Sequence, residues 1–388
     1  MDIDHDVPTI LATLRVEAGD DLAPIFYTME DLWERKLWHQ LTQTLKEFYA
    51  DPRSEPLRLR VFTQFIREFQ RKINQLSLVS FGLLAANQSA TPEEALSFLT
   101  KLAEKVDTPE SWDAHLFAEI EIARVQLVLN NTEEAHTLLQ KVAKALDTSA
   151  TVNTYDPMIN AAYYDVSAEY NKASADFTSY YRNALLYLAC INLQKDLTPV
   201  AQQQRAYDLS IAAILGDKIY NFGELLLHPI LDSLKDSEYQ WLLELLFALN
   251  DGNVNKFEAL TSQHISKQPI LQNSLPFLRQ KICLTALIEA VFKRPTSSRV
   301  LTFETIAHET RLSIDEVEHL VMKALSLGLL KGFIDQVSQT VTVTWLQPRV
   351  LNKDNIESMR LRLVQWDNDV KNLSVWMENE GKEVWTYA

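Results

Sequence analysis

Glycine is the residue that most constrains this chain. It occurs 8 times in 388 residues, about 2% against a usual share of about 7%. Glycine supplies the positive φ of tight turns, bulges and phosphate-binding loops, and it weakens helix interiors. A chain this poor in it is expected to be mostly helix joined by short turns, and it is a poor candidate for a glycine-rich nucleotide site. The prolines agree. Pro52, Pro92, Pro109, Pro157, Pro199, Pro229, Pro269 and Pro295 lie between periodic segments, where proline is tolerated in first turns and linkers.

The middle region reads as paired helices. Leu116, Ile120, Ala123 and Leu127 share one helical face. After the turn Asn130-Asn131-Thr132, Ala135, Leu138, Leu139, Val142 and Leu146 share another. A second pair is expected between Pro157 and Leu193, with Tyr164, Ala168, Tyr181, Ala184, Leu185 and Leu188 inward, and a third begins near Pro199. A spacing of roughly 40 residues is the period of tetratricopeptide- and HEAT-like solenoids. The pattern changes after the linker-like Arg294-Pro-Thr-Ser-Ser-Arg299. Val300-Leu301 is a candidate short strand. Thr302 to Glu309 reads as a helix with Phe303, Ile306 and Ala307 inward. Ser313-Ile-Asp-Glu316 is a capping box opening a helix that buries Ile314, Val317, Val321, Ala324 and Leu325 and ends near Gly328. Two strands follow, Phe333–Val337 and Thr340–Trp345. The second alternates strictly, so Val341, Val343 and Trp345 are expected on one face. Helix, turn, helix and hairpin is the order of a winged helix.

The last segment has the cleanest pattern. Ile356, Met359, Leu363, Trp366, Val370, Leu373 and Met377 are spaced 3, 4, 3, 4, 3, 4, a heptad seam over about three heptads. Asp354 and Glu357 are placed to cap its start and Gly381 to stop it. A seam after a complete domain predicts packing against other chains, with Trp366 as an anchor, since Trp is enriched at interface hot spots. The domains expected are 1–150, a helical-repeat arm; 151–298, a further helical part; 299–347, the winged helix; and 348–388, the assembly helix.

The sequence offers little chemistry. It has neither GxxxxGK[ST] nor GxGxxG, and no G-x-S-x-G elbow. His308-Glu309 starts like a zinc-protease helix, but Leu312 stands where the second His is needed. Cys190 and Cys283 read as small buried hydrophobes. The carboxylates read as solvated helix faces. No enzyme, cofactor or metal is therefore expected. The net charge of −15 opposes phosphate binding, which draws its affinity from Lys and Arg. The winged-helix region from Val300 to Leu346 holds six acids (Glu304, Glu309, Asp315, Glu316, Glu318, Asp335) and three bases (Arg311, Lys323, Lys331). A nucleic-acid-reading winged helix is thus the weaker alternative. Arg58, Arg60, Arg67, Arg71 and Lys72 form the best basic patch, interleaved with Phe62, Phe65 and Phe69. It reads as an amphipathic helix with a solvated basic face, or else a surface for an acidic protein partner or, last, for RNA. The N-terminus is acidic and no apolar run reaches the ~18 residues of a membrane span, so a cytoplasmic and nuclear protein is expected. A wing leaves unpaired backbone groups along an outer strand, a joint another subunit's strand can complete. Thr340, Thr342 and Thr344 would then face away from the core beside it.

Helical pairs followed by a winged helix, from Leu301 to Leu346 and on into Gln347-Pro-Arg-Val-Leu351, resemble the PCI domain. That module is shared by the proteasome lid, the COP9 signalosome and a translation initiation factor complex. Within the family, the run Thr344-Trp-Leu-Gln-Pro-Arg-Val-Leu351 and the stretch Met359 to Val370 look most like a lid subunit. The resemblance implies a non-catalytic scaffold in a hetero-oligomer with other PCI subunits and metalloprotease-fold subunits. Ile334, Val341, Val343 and Trp345 would shape the winged-helix joint, and Ile356 through Met377 would enter a helix bundle. PCI scaffolds of the other two complexes are the alternatives.

Overall fold

The computed structural model describes residues 7–380 apart from 20, 90, 109–110, 150–155, 236, 265–267, 295–298 and 351–352. The expected stop Gly381, Pro109, Pro295 and most of the 294–299 linker lie outside the described residues. The fold is helical with one small sheet. By contacts it divides into two compact units, Met1–Thr198 and Pro199–Ala388. The division does not fall at residue 150, because the helix Pro157–Ala173 packs on the helix Trp112–Val128. Prolines open helices as expected: Pro92, Pro157, Pro199 and Pro269 are each a first helical residue.

In the first unit the expected pairs form. Trp112–Val128 and Thr132–Ser149 make one, Pro157–Ala173 and Phe177–Cys190 the next. Asn130 takes the left-handed φ of 62° that the first turn needs. Leu116, Ile120, Ala123, Ala135, Leu139 and Val142 are buried. They join a core continuous with Phe26, Phe48, Phe65 and Phe69 from the preceding helices. The helix over 58–69 opens into a π-helical turn at Val61–Ile66. Phe62, Phe65 and Phe69 point into the core, as the amphipathic reading requires. Arg58 departs from that reading. Its side chain is 11% exposed and donates to the Tyr49 carbonyl at 2.9 Å and the Asp51 carbonyl at 3.1 Å, so it ties a turn together instead of facing water.

Not all carboxylates are solvated either. Glu119, Glu121 and Asp165 are buried. Asp165 accepts from Arg124 at 3.0 Å across the two repeat pairs, and Glu119 pairs with Lys141 and with His115. Burial raises the Glu121 pKa, opposed by the neighbouring Arg124 charge. Ion pairs of this kind are weak evidence for stability, because desolvation offsets much of their attraction. Cys283 is buried, but Cys190 is only half-buried.

In the second unit, Lys281 is fully buried on the helix Leu275–Phe292. Its Nζ donates to the carbonyls of Ala213, Ile214 and Gly216 at 2.8, 3.0 and 2.7 Å. These close the end of the helix Pro199–Leu215, where unpaired carbonyls and the negative dipole end favour a cation. Tyr220, Phe222 and Phe277 surround the ammonium at 5.3–5.7 Å.

The winged helix follows in the expected order. Strand β1 is Val300–Thr302, β2 is Leu330–Asp335 and β3 is Thr340–Leu346. Between β1 and β2 lie the helices Phe303–Thr310 and Ile314–Ser326, the first capped by Thr302 and the second by the full Ser313/Glu316 capping box. Val317, Leu320, Val321 and Ala324 are buried, while Ile314 is 45% exposed. Ile314 is the first residue of its helix.

Candidate assembly surfaces

The sheet has the order β1-β3-β2. The strand carrying Thr340, Thr342 and Thr344 is therefore central, because β1 pairs with it through Val300↔Thr342, Leu301↔Val341 and Thr302↔Thr340. The open edges belong to β1 and β2, neither of which has a strand on its outer side among the described residues; β2 is the longer of the two. The threonines lie on the sheet's face: Thr340 and Thr342 half-buried, Thr344 exposed.

The strict alternation of β3 is broken by a bulge. Gly332 faces Val343 and Lys331 faces Trp345, so Thr344 is an extra residue on β3. A one-residue slip sends every later side chain to the other face. Val341 and Val343 stay buried, Ile334 is half-buried, and Trp345 turns outward, 40% exposed, with the Lys331 ammonium 5.1 Å from its ring. The bulge requires Gly332, since a Cβ there would stand 2.1 Å from the Thr342 carbonyl oxygen. The outcome is an outer face bearing Val300, Phe333 and Trp345, all exposed. Periodicity identified neither Phe333 nor Val300 as outward, because both faces of this short sheet carry apolar residues. The second helix presents Asp315, Glu316, His319, Met322, Lys323 and Ser326 to solvent, an acidic surface that would repel a phosphate backbone.

The chain then runs as a strap, residues 347–350, to the helix Lys353–Glu380. Arg349 fixes the strap. Its guanidinium pairs with Glu289 and donates to the Asn250 carbonyl at 2.6 Å and Asn250 Oδ1 at 3.2 Å. Val350 packs on Gly223, where an added Cβ would come within 2.5 Å of it. A guanidinium suits this task because its planar fork can serve a carboxylate and a carbonyl together.

The terminal helix spans 28 residues, about 42 Å at 1.5 Å per residue. All seven seam residues lie on it and all are exposed: Ile356, Met359, Leu363, Trp366, Val370, Leu373 and Met377, from 47% to 65%. The expected cap at Asp354 falls inside the helix, which starts at Lys353, and Glu357 pairs with Arg360. Leu361, Val364, Val375 and Trp376 are exposed as well, off the seam at helical spacing. A search for a single heptad passes over them. Among the described residues, no helix is long and apolar enough to cross a membrane.

Three family models cover the chain in order: "PSD13 N-terminal repeats" over residues 25–246, "PCI domain" over 253–345 and "Rpn9 C-terminal helix" over 349–381. The chain is 44% identical to the 26S proteasome regulatory subunit RPN9 of Saccharomyces cerevisiae, over 98% of this chain and 99% of that one. It is 46% identical to the probable 26S proteasome regulatory subunit rpn9 of Schizosaccharomyces pombe, over 95% and 94%. It is 36% identical to the 26S proteasome non-ATPase regulatory subunit 13 homolog A of Arabidopsis thaliana, over 93% and 94%.

Proposed function

From the premise that the chain belongs to the family of 26S proteasome regulatory subunits RPN9 and non-ATPase subunit 13, we propose that it is a non-catalytic scaffold of the regulatory-particle lid, supporting lid assembly and ubiquitin-dependent degradation. Similarity that runs nearly end to end to proteasome subunits favours this over a PCI scaffold of another complex. The chain works in a hetero-oligomer, with other PCI subunits and metalloprotease-fold subunits of the lid as its partners, in the cytoplasm and nucleus.

The observation that carries the reading is the terminal helix. Seven apolar side chains on a heptad seam are left in water, while the strap at the root of the helix is tied down by Arg349. An isolated chain gains nothing from such a helix; a helix bundle supplied by other subunits buries it. The open edge of β2 and the outer face with Phe333 and Trp345 form the second joint, where backbone pairing supplies adhesion and the apolar side chains supply burial. Ile334, Val341 and Val343 support that joint from beneath.

Truncation after Val350, followed by lid assembly on native gels, tests the proposal. The expected result is a folded chain that fails to enter the complete lid. Normal incorporation of the truncated chain would refute the role of the helix.

A further inference from the structure

The first unit holds a cleft of about 600 Å³ whose chemistry the scaffold role does not use. It is lined by Lys36, Lys46, Lys72 and His39, with Trp38 and Ser77 among the remaining residues and no carboxylate. That is unusual in a chain of net charge −15. Its position connects with the basic patch seen in the sequence, since Lys72 ends that patch. Arg58 has been taken up by backbone carbonyls and Arg60 by Glu17. Lys36, Lys46 and Lys72 enter no ion pair among the described residues. Lys72 lies over the Trp38 ring at 4.6 Å, which holds its ammonium at the cleft.

Two further features select the ligand. Ser77 is only 9% exposed, lines the cleft, and its hydroxyl has no hydrogen-bond partner among the described residues. Its oxygen is open to solvent at the cleft, and the hydroxyl is free to donate to an anion there. The helix Trp38–Ala50 also begins at the cleft, with no side chain capping it and no acid in its first turn. Its first N–H groups and positive dipole end add to the lysines in favouring an anion. All three cations are lysines, compact point charges of the kind that bind phosphate groups.

We propose that this cleft is a binding site for a phosphate group, held by Lys36, Lys46 and Lys72 with the Ser77 hydroxyl and the start of the Trp38 helix. The group is either free on a small polyphosphate or carried by a phosphoserine. The site is independent of the terminal helix and the winged helix, so its failure would leave the scaffold reading untouched.

The test is calorimetric titration of the full chain at low salt, without divalent cations. The probes are inorganic pyrophosphate, a phosphoserine peptide, and the same peptide with glutamate in place of phosphoserine. Saturable binding of pyrophosphate or of the phosphopeptide is expected, weakening as salt rises because screening shortens the reach of the lysines. Which of the two binds tells the small molecule from the modified chain. The double variant Lys36→Gln with Lys46→Gln should lose about tenfold in affinity or more, equivalent to about 1.4 kcal/mol. Its circular dichroism should not change, because both side chains are exposed. Lys72→Gln provides a second, independent variant and Ser77→Ala a third. No saturable binding, or equal affinity in all variants, overturns the site. A glutamate peptide that binds as tightly as the phosphopeptide overturns the assignment to phosphate.

Discussion

Replacing Arg349 by Met keeps a long apolar stem and removes only the charge and the donors. The guanidinium is 10% exposed and its partner Glu289 20% exposed. Breaking one side of a buried pair costs about 3–5 kcal/mol, because the other charge is left uncompensated. Two features lower that figure. Glu289 is partly wetted, and Lys293 stands 3.8 Å from it as a second cation. The lost hydrogen bonds to Asn250 act in the opposite direction. A loss of about 2–3 kcal/mol is expected, just below the range for a fully buried pair. The partner mutation sharpens the test. In the double variant Arg349→Met with Glu289→Met no buried charge is stranded, so the two losses should fall short of additive by about 1–2 kcal/mol. Urea unfolding of the full chain measures the energies, and hydrogen exchange over residues 347–350 shows whether the strap is what loosens. Additive losses, or a single-variant loss under about 0.5 kcal/mol, the range of an ordinary surface change, would mean that Arg349 does not clamp the strap. A strap freed in exchange but with assembly unchanged would separate the clamp from the function of the helix.

Three further outcomes follow from the same structure. Burial pulls the Lys281 pKa from 10.5 down to about 7, so between those values the unfolded chain binds more protons than the folded one and stability should rise with pH from about 7 to about 10.5; urea midpoints should show that slope in the parent and lose it in Lys281→Met, and an unchanged slope in the variant would dismiss Lys281 as its source. Gly332→Ala forces a Cβ against the Thr342 carbonyl and should cost about 1–3 kcal/mol, as overpacking does, measured by thermal melting; a neutral effect would show that β3 can lose its bulge. Trp366→Ala with Leu373→Ala should leave the melting temperature of the isolated chain unchanged, since both side chains are exposed, while weakening entry into the lid by about 2 kcal/mol or more per anchor; a drop in melting temperature would instead mean that the seam packs within its own chain.

The parts of this fold that were legible from sequence are those set by a repeating local rule. Scarce glycine and prolines at first turns announce helices, and Ser313 with Glu316 announces a cap, because each acts within one turn of its own position. The heptad seam is read for the same reason. What stayed hidden depends on a partner that local spacing does not name. Alternation puts Trp345 on the face of Val341 and Val343, and the bulge at Thr344 reverses it; the bulge exists only in the register between β2 and β3. Which strand is central is decided by β1, some 40 residues earlier in the chain, pairing with the Thr340 strand. Arg349 finds Glu289 and Asn250, and Asp165 finds Arg124, each across a separation no periodicity spans. For the assembly surfaces the consequence is asymmetric. The terminal helix could be proposed as an interface from its seam alone, because a helix's own period decides which side chains share a face. In the winged helix the strand order is needed to show that β3 is central and that the open edges are those of β1 and β2, and a strand order is a statement about pairs.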